Sequence, residues 1–261
     1  MGISVVIRNK NQEKALEFLL RNLVERYAED IDEIIVLDNL SVDNSKKVSE
    51  KYNAKFITIE KFSYGGSANV AAESAKNDIV VMFSAHAYPV SPDFFKLIKE
   101  KFIGREHELA GVRCLHNQND YKAYINRLSS KEDYNRAGLI FCGSAFNKKV
   151  WIKHPFKSDI ITFEDKEWTK RVIENGYLVE FVPAVFCYEI QRTKDQIFFR
   201  FKNETIGSYQ LHHINFYFFN VSKGLLYSLY KLTTGYFLDV FYAFKRFLFM
   251  VHFLMNKPKQ F

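Results

Sequence analysis

Chemistry is first suggested at the end of one apolar run. Ile79–Pro89 reads Ile-Val-Val-Met-Phe-Ser-Ala-His-Ala-Tyr-Pro, five apolar residues followed by Ser84 and His86. Such a run suits a strand buried on both faces of a parallel sheet, with Pro89 ending the ladder. Ligands of open α/β sheets bind at the carboxyl ends of the strands, so His86 is a site candidate. A surface histidine in an ordinary loop is the competing reading. Asp38 opens a second polar turn, Asp38-Asn-Leu-Ser-Val-Asp43. Its carboxylate could accept from a base N–H or a ribose hydroxyl. Gly65-Gly66 permits close backbone approach, and a helix N-terminus near Ser67 would favour phosphate. Plainer readings exist for each, a turn residue and a plain loop. Glu164-Asp-Lys-Glu167, taken alone, is a charged run at a helix start, where carboxylates suit the dipole.

These residues need elements to hold them. Ile3–Ile7, Ile34–Leu37 and Lys55–Ile59 read as the first three strands, the second of them buried, and Arg8-Asn-Lys-Asn11 is the polar turn after the first. Glu13–Tyr27 has a helical apolar period. Asn44–Tyr52 is a second helix, and Gly65-Gly-Ser-Ala-Asn69 opens a third over Val70–Ala75. Strands alternating with helices predict right-handed crossovers and a parallel sheet. The turns after the first two strands then face one crevice, which brings Arg8, Asn9, Asp38 and Ser41 together. Farther on, Pro92–Phe102 reads as a helix and Ala110–Cys114 as a strand. Asn117–Arg136 is a mixed polar stretch expected as a loop over the site. Leu139–Phe146 is apolar with Gly143-Ser144 inside it, and Lys148 begins a helical turn. A helix through Val172 ends at Asn175-Gly176, a glycine stop. Tyr177–Val182 and Val185–Tyr188 flank Pro183 as strands.

Charge and aromatics are uneven. Residues 190–261 hold 19 of the 41 Phe and Tyr, with 10 Lys/Arg against 3 Asp/Glu. That surplus equals the whole chain's +7, so residues 1–189 are balanced at 27 against 27. A neutral body with a basic, aromatic tail predicts attraction to an anionic surface, and Phe and Leu among the lysines favour lipid over nucleic acid. Cys114, Cys142 and Cys187 have neither zinc nor disulfide spacing, which fits a reducing cytosol. The N-terminus enters Ile3–Ile7 with no basic region ahead of it, so a secretory signal is not expected.

Ser4-Val-Val-Ile-Arg-Asn-Lys-Asn-Gln-Glu13, Ile34-Ile-Val-Leu-Asp-Asn-Leu-Ser-Val-Asp43 and Phe163-Glu-Asp-Lys-Glu-Trp168 together resemble the motifs of family 2 glycosyltransferases. The likeness covers about residues 3–207 and leans toward bacterial rhamnosyltransferase-like members that build surface polysaccharides. It implies an α/β fold, the GT-A nucleotide-diphospho-sugar transferase sandwich, and inverting transfer. One carboxylate then takes the acceptor hydroxyl's proton. Asp165 matches the base position, with Glu164 beside it. Donor contacts fall to Arg8, Asn9, Asp38, Ser41, Gly66, Asn69, Ser84, His86 and Arg200. Acceptor contacts fall to Gly143, Ser144, Trp168 and Arg171. The family usually carries an Asp-containing motif that holds Mg²⁺ or Mn²⁺ against the diphosphate, whereas this chain has Ser84-Ala85-His86. Where many members supply a His, it has Cys187-Tyr-Glu189. His86 and Glu189 could therefore be an exchanged ligand pair for Mn²⁺. Alternatively His86 could donate directly to phosphate, with Lys194 or Arg200 neutralising the rest. Ala68 departs too, since an Arg commonly precedes the matching Asn69.

The expected organisation is a glycosyltransferase domain over residues 1–207, with a nucleotide-binding half at 1–89 and an acceptor half at 90–207, and a helical tail over 208–261. In the tail, Phe237, Phe241, Phe244, Leu248, Val251 and Met255 recur at intervals of three and four. That predicts a broad apolar helix face with a narrow basic edge, as in helices lying in a bilayer interface, and Lys257-Pro-Lys259 closes the chain. Packing on protein, including a second subunit in a homo-oligomer, is the alternative. The resulting expectation is a cytoplasmic enzyme, peripheral on the inner face of the membrane, that moves a sugar from a nucleotide-diphosphate donor to a lipid-linked glycan. A nucleotidyltransferase on a similar sheet and a degenerate glycan-binding scaffold remain as alternatives.

Overall fold

The computed structural model describes residues 1–190 and 192–258. Lys259, counted above in the basic end of the tail, lies outside them. The chain divides into two compact units, Met1–His212 and the residues from His213 onward.

The first unit begins with three strand–helix repeats. They are β1 (Ile3–Asn9), α1 (Glu13–Arg26), β2 (Glu33–Asp38), α2 (Ser45–Lys51), β3 (Lys55–Thr58) and α3 (Tyr64–Ser74). Then come β4 (Ile79–Ser84), β5 (Ala87–Pro89), α4 (Phe94–Phe102), β6 (Leu109–Leu115), α5 (Gln118–Ile125) and α6 (Tyr134–Ala137). The unit closes with β7 (Ser144–Asn147), α7 (Lys148–Lys153), α8 (Glu164–Glu174), β8 (Leu178–Tyr188) and α9 (Lys194–His212). The strands form one sheet in the order β3-β2-β1-β4-β7-β6-β8-β5. β1 to β4 pair in parallel, as the alternating pattern requires, while β7 runs antiparallel between β4 and β6. The sheet is thus mixed: β6 and β8 pair in parallel again, and β5 is antiparallel to β8 at the edge.

Alternate residues of the strands face two cores. Val5, Ile7, Val81 and Phe83 pack with Leu16 and Leu20 of α1 and Phe94 and Phe95 of α4. Val6, Ile35, Val80 and Met82 pack on the other face with Ala68 and Ala71 of α3 and Trp168 and Val172 of α8. Burial on both faces is why these strands read as unbroken apolar runs.

Three elements differ from the sequence reading. Pro89 does not stop the ladder but sits in β5, an antiparallel edge strand where a missing N–H costs nothing. Pro183 lies inside β8 at a register shift, between Arg113↔Phe181 and Leu115↔Val185, so the two expected strands are one. Asn117–Arg136 is not one loop but two short helices, α5 and α6, joined by a turn over 126–133. Asn117 and Asp133 cap α5 and α6 by accepting from backbone N–H groups two and three residues on.

The second unit contains α10 (Phe218–Met255). None of its residues is buried, and apolar side chains surround it. Phe237 and Phe244 lie on one side and Leu238 and Phe249 on the other, all more than half exposed. The narrow basic edge expected from the sequence is therefore interrupted by aromatics. Among the described residues, no helix is long and apolar enough to cross a membrane.

Candidate functional site

A cleft of about 640 Å³ opens at the carboxyl ends of β1 and β4, where the turn after β4, the first turns of α3 and α8, and the start of α9 meet. Its wall includes Arg8, Asn9, Ser84, His86, Glu164, Asp165 and Arg200, seven of the residues expected from sequence. Among the described residues, four buried side-chain polar atoms lack a hydrogen-bond partner. Three of them, Arg8 Nε, Asn9 Oδ1 and His86 Nε2, belong to this wall. Unsatisfied polar atoms concentrated in one cleft mark it as a place built for something other than packing.

The carboxylates stand at the N-terminus of α8. Phe163 ahead of them adopts φ +67°, a left-handed conformation rare for a bulky residue. Asp165 Oδ2 accepts from the Phe141 N–H at 3.0 Å and Oδ1 from the Lys166 N–H at 2.8 Å. The 138–141 segment that supplies Phe141 is tied to the same helix. Leu139 N–H donates to Thr169 Oγ1, and Lys166 Nζ donates to the Leu139 carbonyl at 2.7 Å. Burial lowers the Lys166 ammonium to about 8.

Glu164 is buried beside Asp165, and its Oε1 lies 3.6 Å from Arg8 Nη2. Burial, then the neighbouring Asp165 charge, pushes its carboxyl up to about 7 against the pull of Arg8. Arg8 donates to the Tyr64 carbonyl at 2.7 Å and lies over the Phe141 ring, and burial lowers it to about 10. The raised Glu164 value has a consequence for stability. Between the ordinary carboxyl range and about pH 7 the folded chain holds a proton that the unfolded chain has lost, so stability falls as pH rises through that window. Glu164→Gln removes the titration. Its stability relative to the native chain should therefore improve from pH 5 to pH 8 by on the order of 2–3 kcal/mol, read from urea midpoints. A gap that stays constant with pH would show that Glu164 is ionised throughout.

Other expected residues stand away from the cleft. Asp38 is buried and closes its own turn, with Asn9 Nδ2 and Ser41 Oγ donating to Oδ1 and the Ser41 N–H to Oδ2. Asn39, one residue later, lines the cleft instead. Gly66 donates to the N-cap Ser63 Oγ, since α3 starts at Tyr64 and not near Ser67. The Asn69 amide clamps the backbone of Phe156 and accepts from Trp151 Nε1. Trp168 is wholly buried, donating to the His154 carbonyl and stacked on Phe156. Arg171 pairs with Glu167 and donates to the Pro155 carbonyl. Ser144 is buried and accepts from the Ile140 N–H, and Gly143 packs under the Phe186 ring. Sequence reasoning missed Gln12, Tyr64, His116, Phe141, Lys166, Tyr188 and Arg192, all on the cleft wall. Gln12 and Lys166 stand inside the quoted motifs, whereas His116, Phe141 and Arg192 lie in none of them.

The metal pair does not assemble. His86 Nδ1 is bonded to Gln12 Oε1 at 2.9 Å, the arrangement of an Nδ1–H tautomer, and Nε2 is buried with no partner among the described residues. Burial and the charge of Arg192 lower the imidazole to about 4, leaving it neutral. The Glu189 N–H donates to the His86 carbonyl, but its side chain is exposed and off the cleft wall. Among the described residues, no group of three or more His, Cys, Asp or Glu side chains could hold a metal ion. One imidazole nitrogen facing a guanidinium does not fit a hard dication, which takes several oxygen ligands.

Residues 4–163 match the family model described as glycosyl transferase family 2. A dolichyl N-acetyl-alpha-D-glucosaminyl phosphate 3-beta-D-2,3-diacetamido-2,3-dideoxy-beta-D-glucuronosyltransferase of Methanococcus voltae is 28% identical over 218 residues, covering 70% of this chain and 65% of that relative. Among solved structures, a mannosyltransferase of Pyrobaculum calidifontis in complex with GDP-Man and Mn²⁺ superposes with TM-score 0.60 at 18% identity. It covers 76% of this chain and 59% of that one. The glucosyl-3-phosphoglycerate synthase of Mycobacterium tuberculosis, with Mn²⁺ and UDP-glucose, gives TM-score 0.61 at 15% identity, covering 82% and 80%. The fold is thus the GT-A sandwich, and the chain spans somewhat less than two thirds of the Methanococcus relative.

Proposed function

The chain belongs to glycosyl transferase family 2, and on that premise we propose that it moves a sugar, with inversion, from a nucleoside-diphosphate donor to a hydroxyl of a lipid-linked surface glycan. Asp165 carries this reading. It is a carboxylate on the cleft wall, oriented by the Phe141 N–H at the head of a helix. In the proposed reaction Asp165 takes the proton of the acceptor hydroxyl as that oxygen bonds to the anomeric carbon. The anomeric C–O bond breaks, and its electron pair leaves with the nucleoside diphosphate. Glu164, paired with Arg8, shapes the floor below. The lipid-linked acceptor is supported by the name of the Methanococcus relative, which specifies a dolichyl phosphate sugar. A screen of nucleotide-sugars tests the reaction through release of nucleoside diphosphate. A parallel assay with nucleoside triphosphates and sugar 1-phosphates, in which inorganic diphosphate is released, would favour a nucleotidyltransferase, and no turnover in either assay would favour a binding protein.

The second unit supports action at a membrane surface. From His213 onward the sequence carries six Lys/Arg against one Asp. Its 38-residue helix is about 57 Å long and apolar around its circumference. Lysine and arginine draw such a segment to anionic lipid, and aromatic burial then holds it independently of salt. Deleting residues 213–261 should abolish flotation with anionic vesicles and leave donor binding intact. High salt should weaken but not abolish flotation of the full chain. Equal flotation of both forms would mean that the helix packs on a second copy instead.

A further inference from the structure

The place where the family's metal-binding carboxylate is expected holds no metal group, yet a departing diphosphate still needs positive charge. Three guanidinium groups, Arg8, Arg192 and Arg200, stand on the cleft wall. Arg192 Nη2 lies 3.4 Å from Tyr188 Oη, and Tyr188 meets the His86 ring edge-on at 4.9 Å. Arg200 reaches the same tyrosine electrostatically from α9. Among the described residues, no carboxylate pairs with Arg192. Arg200 shares an exposed ion pair with Glu204, a weak tie that phosphate can replace. Across the cleft wall, five cations (Arg8, Lys10, Lys166, Arg192, Arg200) face three carboxylates, Glu164, Asp165 and Glu204. Arg8 is committed to Glu164 and Tyr64, and Lys166 to the Leu139 carbonyl. That leaves Arg192 and Arg200, with Lys10, for an incoming anion.

We propose that the donor's diphosphate is bound without a divalent cation, by Arg192 and Arg200, which do the work the family's metal does elsewhere. This rests on the glycosyltransferase reading above. A guanidinium offers planar paired N–H donors that match phosphate oxygens, and two of them can offset the charge that develops as the anomeric C–O bond breaks. His86 takes a different part from either one expected for it. In the Nδ1–H tautomer that fits Gln12, its buried Nε2 offers a lone pair, suited to a hydroxyl hydrogen and not to a phosphate oxygen. A dication beside that nitrogen would meet the positive charge of Arg192, which adds to burial in keeping the imidazole neutral.

Binding of uridine, guanosine, thymidine and cytidine diphosphates to the full chain, by calorimetry in EDTA and in Mn²⁺, tests this without a known acceptor. At least one nucleotide should bind equally in both buffers. Arg192→Ala should weaken it about 10–100-fold, with Arg192→Lys between the two. Arg192 is only half-buried and lies outside both cores, so the variants should fold, which unchanged melting temperatures would verify. Binding that appears only with Mn²⁺ overturns the proposal and leaves the glycosyltransferase reading standing. So does Mn²⁺-independent binding that Arg192→Ala does not alter. Binding of no nucleotide in either buffer overturns the donor-site reading itself, and the proposal with it.

Discussion

Asp165→Asn is expected to lower sugar transfer by about 10²–10⁴-fold while donor affinity stays within a factor of about three. The substitution keeps the shape and removes the only property the proposed step uses, the capacity to take a proton. Its side effect can be stated in advance. Both Asp165 oxygens accept from N–H groups, those of Phe141 and Lys166, so an asparagine must turn its NH₂ toward one of them. One unsatisfied donor costs about 1–3 kcal/mol, and the melting temperature should drop by a few degrees. Loss of rate with the donor still bound therefore separates catalysis from folding. Near-native transfer by the Asn variant would remove Asp165 from the base role. Glu164 would then come forward, because its raised value already gives it a proton affinity near neutrality.

Much of this arrangement was legible because it depends on periodicity. Ile79–Phe83 is apolar on every residue because both faces are covered, and the Asn175-Gly176 stop follows from backbone geometry alone. What could not be read was which way a polar or aromatic side chain turns. Trp168 and Asn69 sit in or beside the family motifs, yet one fills the second core and the other ties α3 to the 156 segment. Asp38 is the sharpest case, since its neighbour Asn39 reaches the cleft while Asp38 folds back to staple the turn. Arg192 shows a different failure. It was counted only in the basic surplus of residues 190–261, although the first unit extends to His212 and takes it into the cleft beside Arg200. Summed charge records how many cations a stretch has and not which fold element carries them inward.

Gly143→Ala should destabilise the chain by about 2–5 kcal/mol, a large part of the 5–15 kcal/mol typical of a domain. Two costs combine. Gly143 has φ +71°, where a Cβ adds about 1–2 kcal/mol. An added Cβ would also stand 2.1 Å from Cε1 of Phe186, and overpacking of that kind costs about 1–3 kcal/mol. Neither partner can retreat cheaply. The Gly143 N–H donates to the Met82 carbonyl at 2.7 Å and its carbonyl accepts from the Cys114 N–H, which pins the backbone between β4 and β6. The Phe186 ring is stacked on His116 at 5.1 Å and held edge-on by Phe83 at 6.2 Å. A urea titration should show the midpoint shifted down with the slope unchanged. An Ala variant of native stability but impaired acceptor saturation would restore the acceptor-binding part first expected for Gly143. A variant of low stability whose surviving folded fraction still binds donor would place the residue in the framework that holds His116 and Phe186 against the cleft.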